Sequence, residues 1–217
     1  MTTGKRSIYK FFAMLTLLFF PFSVYALDVS PVVDGSIHNG TMLSTILIQV
    51  LNNPSLSDRG IIEFPLSSAC TPVTGATLRL NVHGSNGPYP FNINVYTYSG
   101  NGSMEAGDFS AGTLATNFVF NGETSVDIDV TSSVLSLINS NSDYAGFNLR
   151  FEPASDITLN APFVAFNTRE NPPEGILILE CDTNAIPTLS EWGMFLMILL
   201  IGTTSIFYIR RKQNYVS

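Results

Sequence analysis

Strict alternation of apolar and polar residues fills the middle of this 217-residue chain, and it fixes the fold class more firmly than any other feature. "GATLRLNV" sets Leu78, Leu80 and Val82 against Thr77, Arg79 and Asn81. "FNINVYTY" sets Phe91, Ile93 and Val95 against Asn92, Asn94, Tyr96 and Tyr98. "SVDIDV" and "GFNLRF" repeat the pattern, with Asp127 and Asp129 in the first and Asn148 and Arg150 in the second on the polar side. A period of two places successive side chains on opposite faces of a strand, so each run reads as a strand with one face buried. "LSTILIQVL", "RGIIEFPL", "TNFVF", "PFVAF" and "GILILEC" are further strand candidates, separated by turn clusters such as "HGSNGPYP", "YSGNGSMEAGD" and "NSNSDYAG".

One helix is expected, in "DVTSSVLSLINSN", capped by Thr131 or Ser132 and burying Val134, Leu135 and Ile138. The joining segments are too short for crossover helices, which disfavours a parallel sheet. The expected fold is therefore all-β: an antiparallel, jelly-roll-like β-sandwich with one short helix, over residues 27–183. That length suffices for one domain with a sizeable core.

Charge is segregated. Residues 27–185 contain sixteen acidic side chains but only four basic ones, Arg59, Arg79, Arg150 and Arg169, a balance of −12. Phosphate contacts need clustered Lys and Arg, so nucleic acid is excluded as a partner, as is an anionic membrane surface for the body. The other six basic residues flank the two apolar ends.

The N-terminal end has Lys5, Arg6 and Lys10 before the apolar run Phe11 to Phe20, then Val24-Tyr25-Ala26 with small residues at the −3 and −1 positions of a cleavage site. This three-part pattern reads as a signal peptide over residues 1–26, giving a mature chain from Leu27. Export makes the two cysteines meaningful: in an oxidising compartment Cys70 and Cys181 are expected to be bonded.

The body also resembles a known family. Arg59 with Phe64 ("RGIIEF"), Gly75 to Val82 ("GATLRLNV"), Asp129 to Thr131 ("DVT"), Gly146 to Arg150 ("GFNLR") and Arg169-Glu170 before the last strand follow the order seen in DNRLRE-type domains of bacterial and archaeal surface proteins. The resemblance covers roughly residues 37–181. It implies a jelly-roll sandwich, often an appended module, with some relatives binding polysaccharide. The chain departs from the family in "DFSAGTLATNFVF", which lacks the tryptophan many members carry after the "VY" strand.

Candidate chemistry is sparse. The two histidines, His38 and His83, have no ligand-like spacing to the cysteines, so no zinc site, other metal or cofactor is expected. Asp127 and Asp129 lie on one strand face about 7 Å apart. Three readings compete for them: pairing with Arg79 or Arg150 together with helix capping, a calcium site, or glycosidase-like acid and base work. The first is preferred, and the chain is expected not to be an enzyme. Asn39-Gly40-Thr41 and Asn101-Gly102-Ser103 fit the N-glycosylation pattern. Sugar binding by a sandwich needs exposed rings. With no tryptophan in the body, Tyr96 and Tyr98, with Asn92 and Asn94 on the same face, form the candidate ligand face for an extracellular polysaccharide.

The C-terminal end has three parts. Residues 184–193 hold a linker and the motif "IPTLSEWG"; residues 194–209 are apolar apart from Gly202, Thr203, Thr204 and Ser205; residues 210–217 begin with Arg210, Arg211 and Lys212. Sixteen residues of helix measure about 24 Å, slightly under a ~30 Å hydrocarbon core. With Trp192 at one interface and the basic stop at the other, the segment reads as a transmembrane helix in the inner membrane. The cationic end is cytoplasmic and the body lies outside. Ile186, Pro187, Thr188, Leu189, Trp192 and Gly193 resemble the IPTL-CTERM sorting signal of Gram-negative bacteria. That resemblance implies recognition and cleavage by a membrane-embedded exosortase-like enzyme. The expected function is thus an exported cell-surface or matrix protein with an adhesive or structural body. A carbohydrate-binding module, and after it a small polysaccharide hydrolase or lyase, are the alternatives.

Overall fold

A computed structural model describes residues 24–53, 55–151, 162–182, 193 and 196–205 of the chain. Val24–Cys181 forms one compact unit.

The compact unit is built almost wholly of antiparallel strands. In chain order they are β1 (Val24–Val29), β2 (Val33–His38), β3 (Met42–Ser44), β4 (Ile48–Asn52), β5 (Ser57–Pro65), β6 (Val73–Asn86), β7 (Phe91–Ser99), β8 (Thr113–Phe120), β9 (Ser125–Asp129), β10 (Tyr144–Arg150), β11 (Phe163–Phe166) and β12 (Ile176–Asp182). A 3-10 turn covers Ala106–Phe109, and helix α1 covers Thr131–Asn139. The main path through the sheet is β1-β12-β6-β11-β4-β5-β10-β7-β8; β2 joins β3 and β5, and β9 joins β6.

The sheet curls so that its inward side chains meet. Leu78, Leu80, Val164, Phe166, Leu177 and Leu179 from one stretch share a cluster with Ile62, Phe64, Ile93, Val95, Phe147 and Leu149 from the other. All twelve are fully buried. These are the apolar positions of the period-two runs, so burial of that face sets the register: a one-residue slip would turn the whole set towards water. At about 25 cal/mol per Å² of apolar area removed from water, this burial is the main force closing the sheet.

Besides strand β2, which has no counterpart in the sequence expectation, three features differ from it. β6 runs to Asn86, so "HGSN" is strand and not turn; its far end pairs with β11 after its near end has paired with β12 and β9. Helix α1 is not capped by the Thr131 or Ser132 side chain. Val130 is the N-cap, the Asp129 carboxylate accepts the Thr131 N–H at 3.0 Å, and the Thr131 hydroxyl turns away to accept the Ala76 N–H. The helix buries Val134, with Leu137 and Ile138 packed beside it, the i, i+3, i+4 set of one helical face, while Leu135 lies outside that set.

Cys70 and Cys181 form a disulfide with Cα atoms 6.0 Å apart, inside the usual range. It ties the loop after β5 to the end of β12. In β1, Val24 and Tyr25 are exposed, and the residues that reach the core, Leu27 and Val29, follow the expected cleavage site.

Candidate functional site

The face proposed from sequence to hold a ligand is the outer side of β7 and β10. Asn92 is exposed, and Asn94, Tyr96 and Tyr98 are half-buried. The cause is the segment between β7 and β8, which folds back over this face. Its anchor is Glu63 on β5, fully buried. The Glu63 carboxylate accepts from the Tyr98 hydroxyl (2.9 Å) and from the backbone N–H groups of Asn101 (3.1 Å) and Gly102 (2.7 Å). Burial pushes its pKa up although these donors favour the anion. The same burial, with the neighbouring Glu63 charge, pushes the Tyr98 phenol up. Tyr98 lies against β10 at Gly146, where a Cβ would stand 2.5 Å from the ring, so no larger residue fits.

A second set of bonds pins the same segment. Asn148 donates to the carbonyls of Asp108, Phe109 and Ala111; Arg59 donates to Phe109 and stacks on its ring; Arg150 donates to Ala111. The Arg150 guanidinium sits 3.7 Å from the centre of the Tyr96 ring. Two of the four expected ligand-face residues, Tyr96 and Tyr98, are thus engaged within the protein, with Arg150 on a ring that a pyranose would use. Sequence patterning gave the right side for Phe91 to Tyr96 and for Tyr98; it carried no signal that a loop 38 to 50 residues further along the chain from its β5 partners would cover the outer side.

A second polar centre, not anticipated from sequence, gathers around Asp34 on β2. Asp34 is 3 % exposed, and its carboxylate accepts the Arg169 backbone N–H at 2.9 Å. Burial raises its pKa to about 6, against the pull of that bond and of the Arg169 charge; Glu170 and Glu174 push it further up. Between β11 and β12 the chain leaves the β6 edge as an excursion held by Thr168 and Asn171, both donating to the Ile46 carbonyl. A cavity of about 260 Å³ opens here, with Val32, Val33, Leu43 and Met104 as apolar wall and Arg169 and Glu170 at its exposed side. Arg169-Glu170 is the pair visible in the sequence; Asp34 carries no such signal, because a buried acid breaks the apolar alternation that marks a strand.

The remaining candidates are individually occupied. Asp127 holds Arg79 through two 2.7 Å bonds, which lower its pKa, and Asp129 is lowered by the Thr131 N–H. Arg150, a candidate partner for these acids, is instead buried over Tyr96. His38 and Asp58 face each other across β2 and β5 at 2.6 Å, and His83 meets Asn167 at 3.1 Å. Among the described residues no group of three His, Cys, Asp or Glu side chains is placed to hold a metal ion.

Of the C-terminal segment, Gly193 and residues 196–205 are described, and they are helical. Leu196 to Ile201 are each 59–66 % exposed. The hydroxyls of Thr203, Thr204 and Ser205 donate back to the carbonyls of Leu199, Leu200 and Ile201 at 2.7–2.9 Å. Those polar groups are therefore satisfied inside the helix, as an apolar surrounding requires. Among the described residues no helix is long and apolar enough to cross a membrane. Ile186, Pro187, Thr188, Leu189 and Trp192, the basic stop Arg210, Arg211 and Lys212, and the expected signal peptide up to Ser23 lie outside the described residues.

No curated protein matches the chain. Its C-terminal segment does match a family model: residues 184–204 carry the IPTL-CTERM motif, the sequence signature of a C-terminal sorting signal of exported surface proteins.

Proposed function

We propose that this chain is a non-enzymatic cell-surface or matrix protein. Its curled sheet, taken as a jelly-roll-like β-sandwich related to DNRLRE-type domains, is exported by the N-terminal signal and delivered through the C-terminal motif. In this reading residues 194–209 hold the protein in the inner membrane as a single-pass intermediate, body outside. A membrane-embedded exosortase-like enzyme then cuts within or beside Ile186 to Gly193. The body serves adhesion or matrix structure. The IPTL-CTERM match over residues 184–204 carries the proposal. The disulfide supports it, since such bonds persist outside the reducing cytoplasm. A proline fixes its own φ and disfavours a helical residue before it, so an Ile-Pro pair in the motif suits the extended form a protease cleft accepts.

The test separates an address from an anchor. In a host with the processing enzyme, wild type and a Pro187→Ala, Thr188→Ala double variant are followed by intact mass in membrane and secreted fractions. Wild type is expected to lose its C-terminal segment and the variant to retain it. Wild type persisting uncut in the membrane, from Leu27 to Ser217, would refute the proposal.

A further inference from the structure

Four strands of the described body have a single strand partner: β1, β3, β8 and β9. A strand edge exposes unpaired N–H and C=O groups, and proteins ordinarily blunt it with charge, proline or brevity. Three of the four are blunted. β3 has three residues, β9 carries Asp127 and Asp129, and β1 carries Asp28.

β8 is not. "TLATNFVF" has eight residues, no charge and no proline. The uncharged run is longer still, from Phe109 to Gly122, in a body with sixteen acids. Residues 116–120 hold unbroken register with β7; the one irregularity lies between the Thr116 and Leu114 pairs. It brings Leu114 opposite Tyr96, so that Leu114 shares the outer face with Val119, opposite Asn92. These two side chains are 55 % and 50 % exposed. Threonine, valine and phenylalanine suit a further pairing.

We propose that β8 is an assembly edge, and that its occupant is β8 of a second copy of this chain, added antiparallel about a two-fold axis to give one sheet running through both bodies. Charge selects this occupant. Two bodies of −12 repel wherever their acids approach, and among the edges of more than three residues β8 against β8 is the pairing that brings no acid of either strand into the ladder. A two-fold contact of this kind is self-complementary and closes at two copies. A partner selected by positive charge would seek β9 or β1 instead.

Sedimentation of the full-length protein in detergent micelles tests this independently of sorting, since no processing enzyme is needed. Wild type is expected to show a reversible monomer–dimer equilibrium. Leu114→Lys with Val119→Lys places like charges across the pairing twice, and should raise the dissociation constant roughly tenfold or more. Asn117→Lys, at an exposed polar position of the same edge, gives the same direction should the double variant fail to fold. Ser125→Lys on β9 should leave the dimer intact. Circular dichroism and the intact disulfide report folding. A monomeric wild type, a dimer indifferent to lysine on folded β8 variants, equal loss with Ser125→Lys, or growth beyond two copies would each overturn the proposal.

Discussion

Replacing Asp34 by asparagine should remove most of one pH dependence from the stability of the body. Asp34 is held at about 6 in the fold against 3.8 in its ordinary state. A carboxyl raised on folding binds its proton more tightly in the native state. Its contribution is therefore complete below pH 3.8, falls as pH rises through the interval, and is spent above pH 6. At 1.36 kcal/mol per pH unit the interval corresponds to about 3 kcal/mol. Asparagine keeps an acceptor for the Arg169 N–H but does not titrate. Urea unfolding of wild type and Asp34→Asn, followed by far-UV circular dichroism at pH 4, 5, 6 and 7.5, gives the comparison. The wild-type stability relative to the variant should fall by up to about 3 kcal/mol between pH 4 and 7.5, the whole change lying below about pH 6.5. Other raised acids, among them Asp58 and Glu63, remain in both proteins and cancel in the difference. Parallel stability curves would show that Asp34 is solvated as well in the fold as out of it, and would refute the argument from burial.

Two further outcomes follow from the same reasoning. Cys70→Ser with Cys181→Ser opens a link across 111 residues and should lower unfolding stability by up to about 5 kcal/mol in the chain-entropy account, measured by urea unfolding against wild type. Tyr98→Phe withdraws one donor from the buried Glu63 carboxylate and should cost about 1–3 kcal/mol, with faster backbone hydrogen exchange at Asn101 and Gly102; unchanged exchange there would count against Glu63 as the anchor of the β7–β8 segment.

The strands legible in the sequence were those whose inner residues are mainly apolar. β7 and β10 alternate because one face of each is turned to the core, with Thr97 the one polar residue on that side of β7. β2 was not anticipated, since "VDGSIH" buries Asp34, Gly35 and Ser36, residues whose local preference is for turns; pairing with β5 overrides that preference. The extension of β6 past His83 was hidden for a similar reason: Gly84 reads as punctuation until β11 is laid beside it. The paired cysteines could be inferred from compartment logic alone. The engagement of Tyr96 under Arg150, of Tyr98 with Glu63 and of Asn148 with the carbonyls of a remote loop could not, because contacts between residues so far apart in the chain leave no trace in residue type.

The disulfide also acts as a length gauge. Cys181 is fixed to the body through Cys70, and Ile186 begins the sorting motif five residues later. Fully extended, five residues span about 17 Å. While the bridge is closed, the slack between the last covalent clamp and the motif is set at that length, however β12 breathes. Without the bridge, peeling β12 from β6 would release six further residues, Ile176 to Cys181, as added tether. Oxidation thus defines how near to a folded body the motif must be read, and a processing enzyme tuned to the short tether would meet a different substrate in the reduced chain.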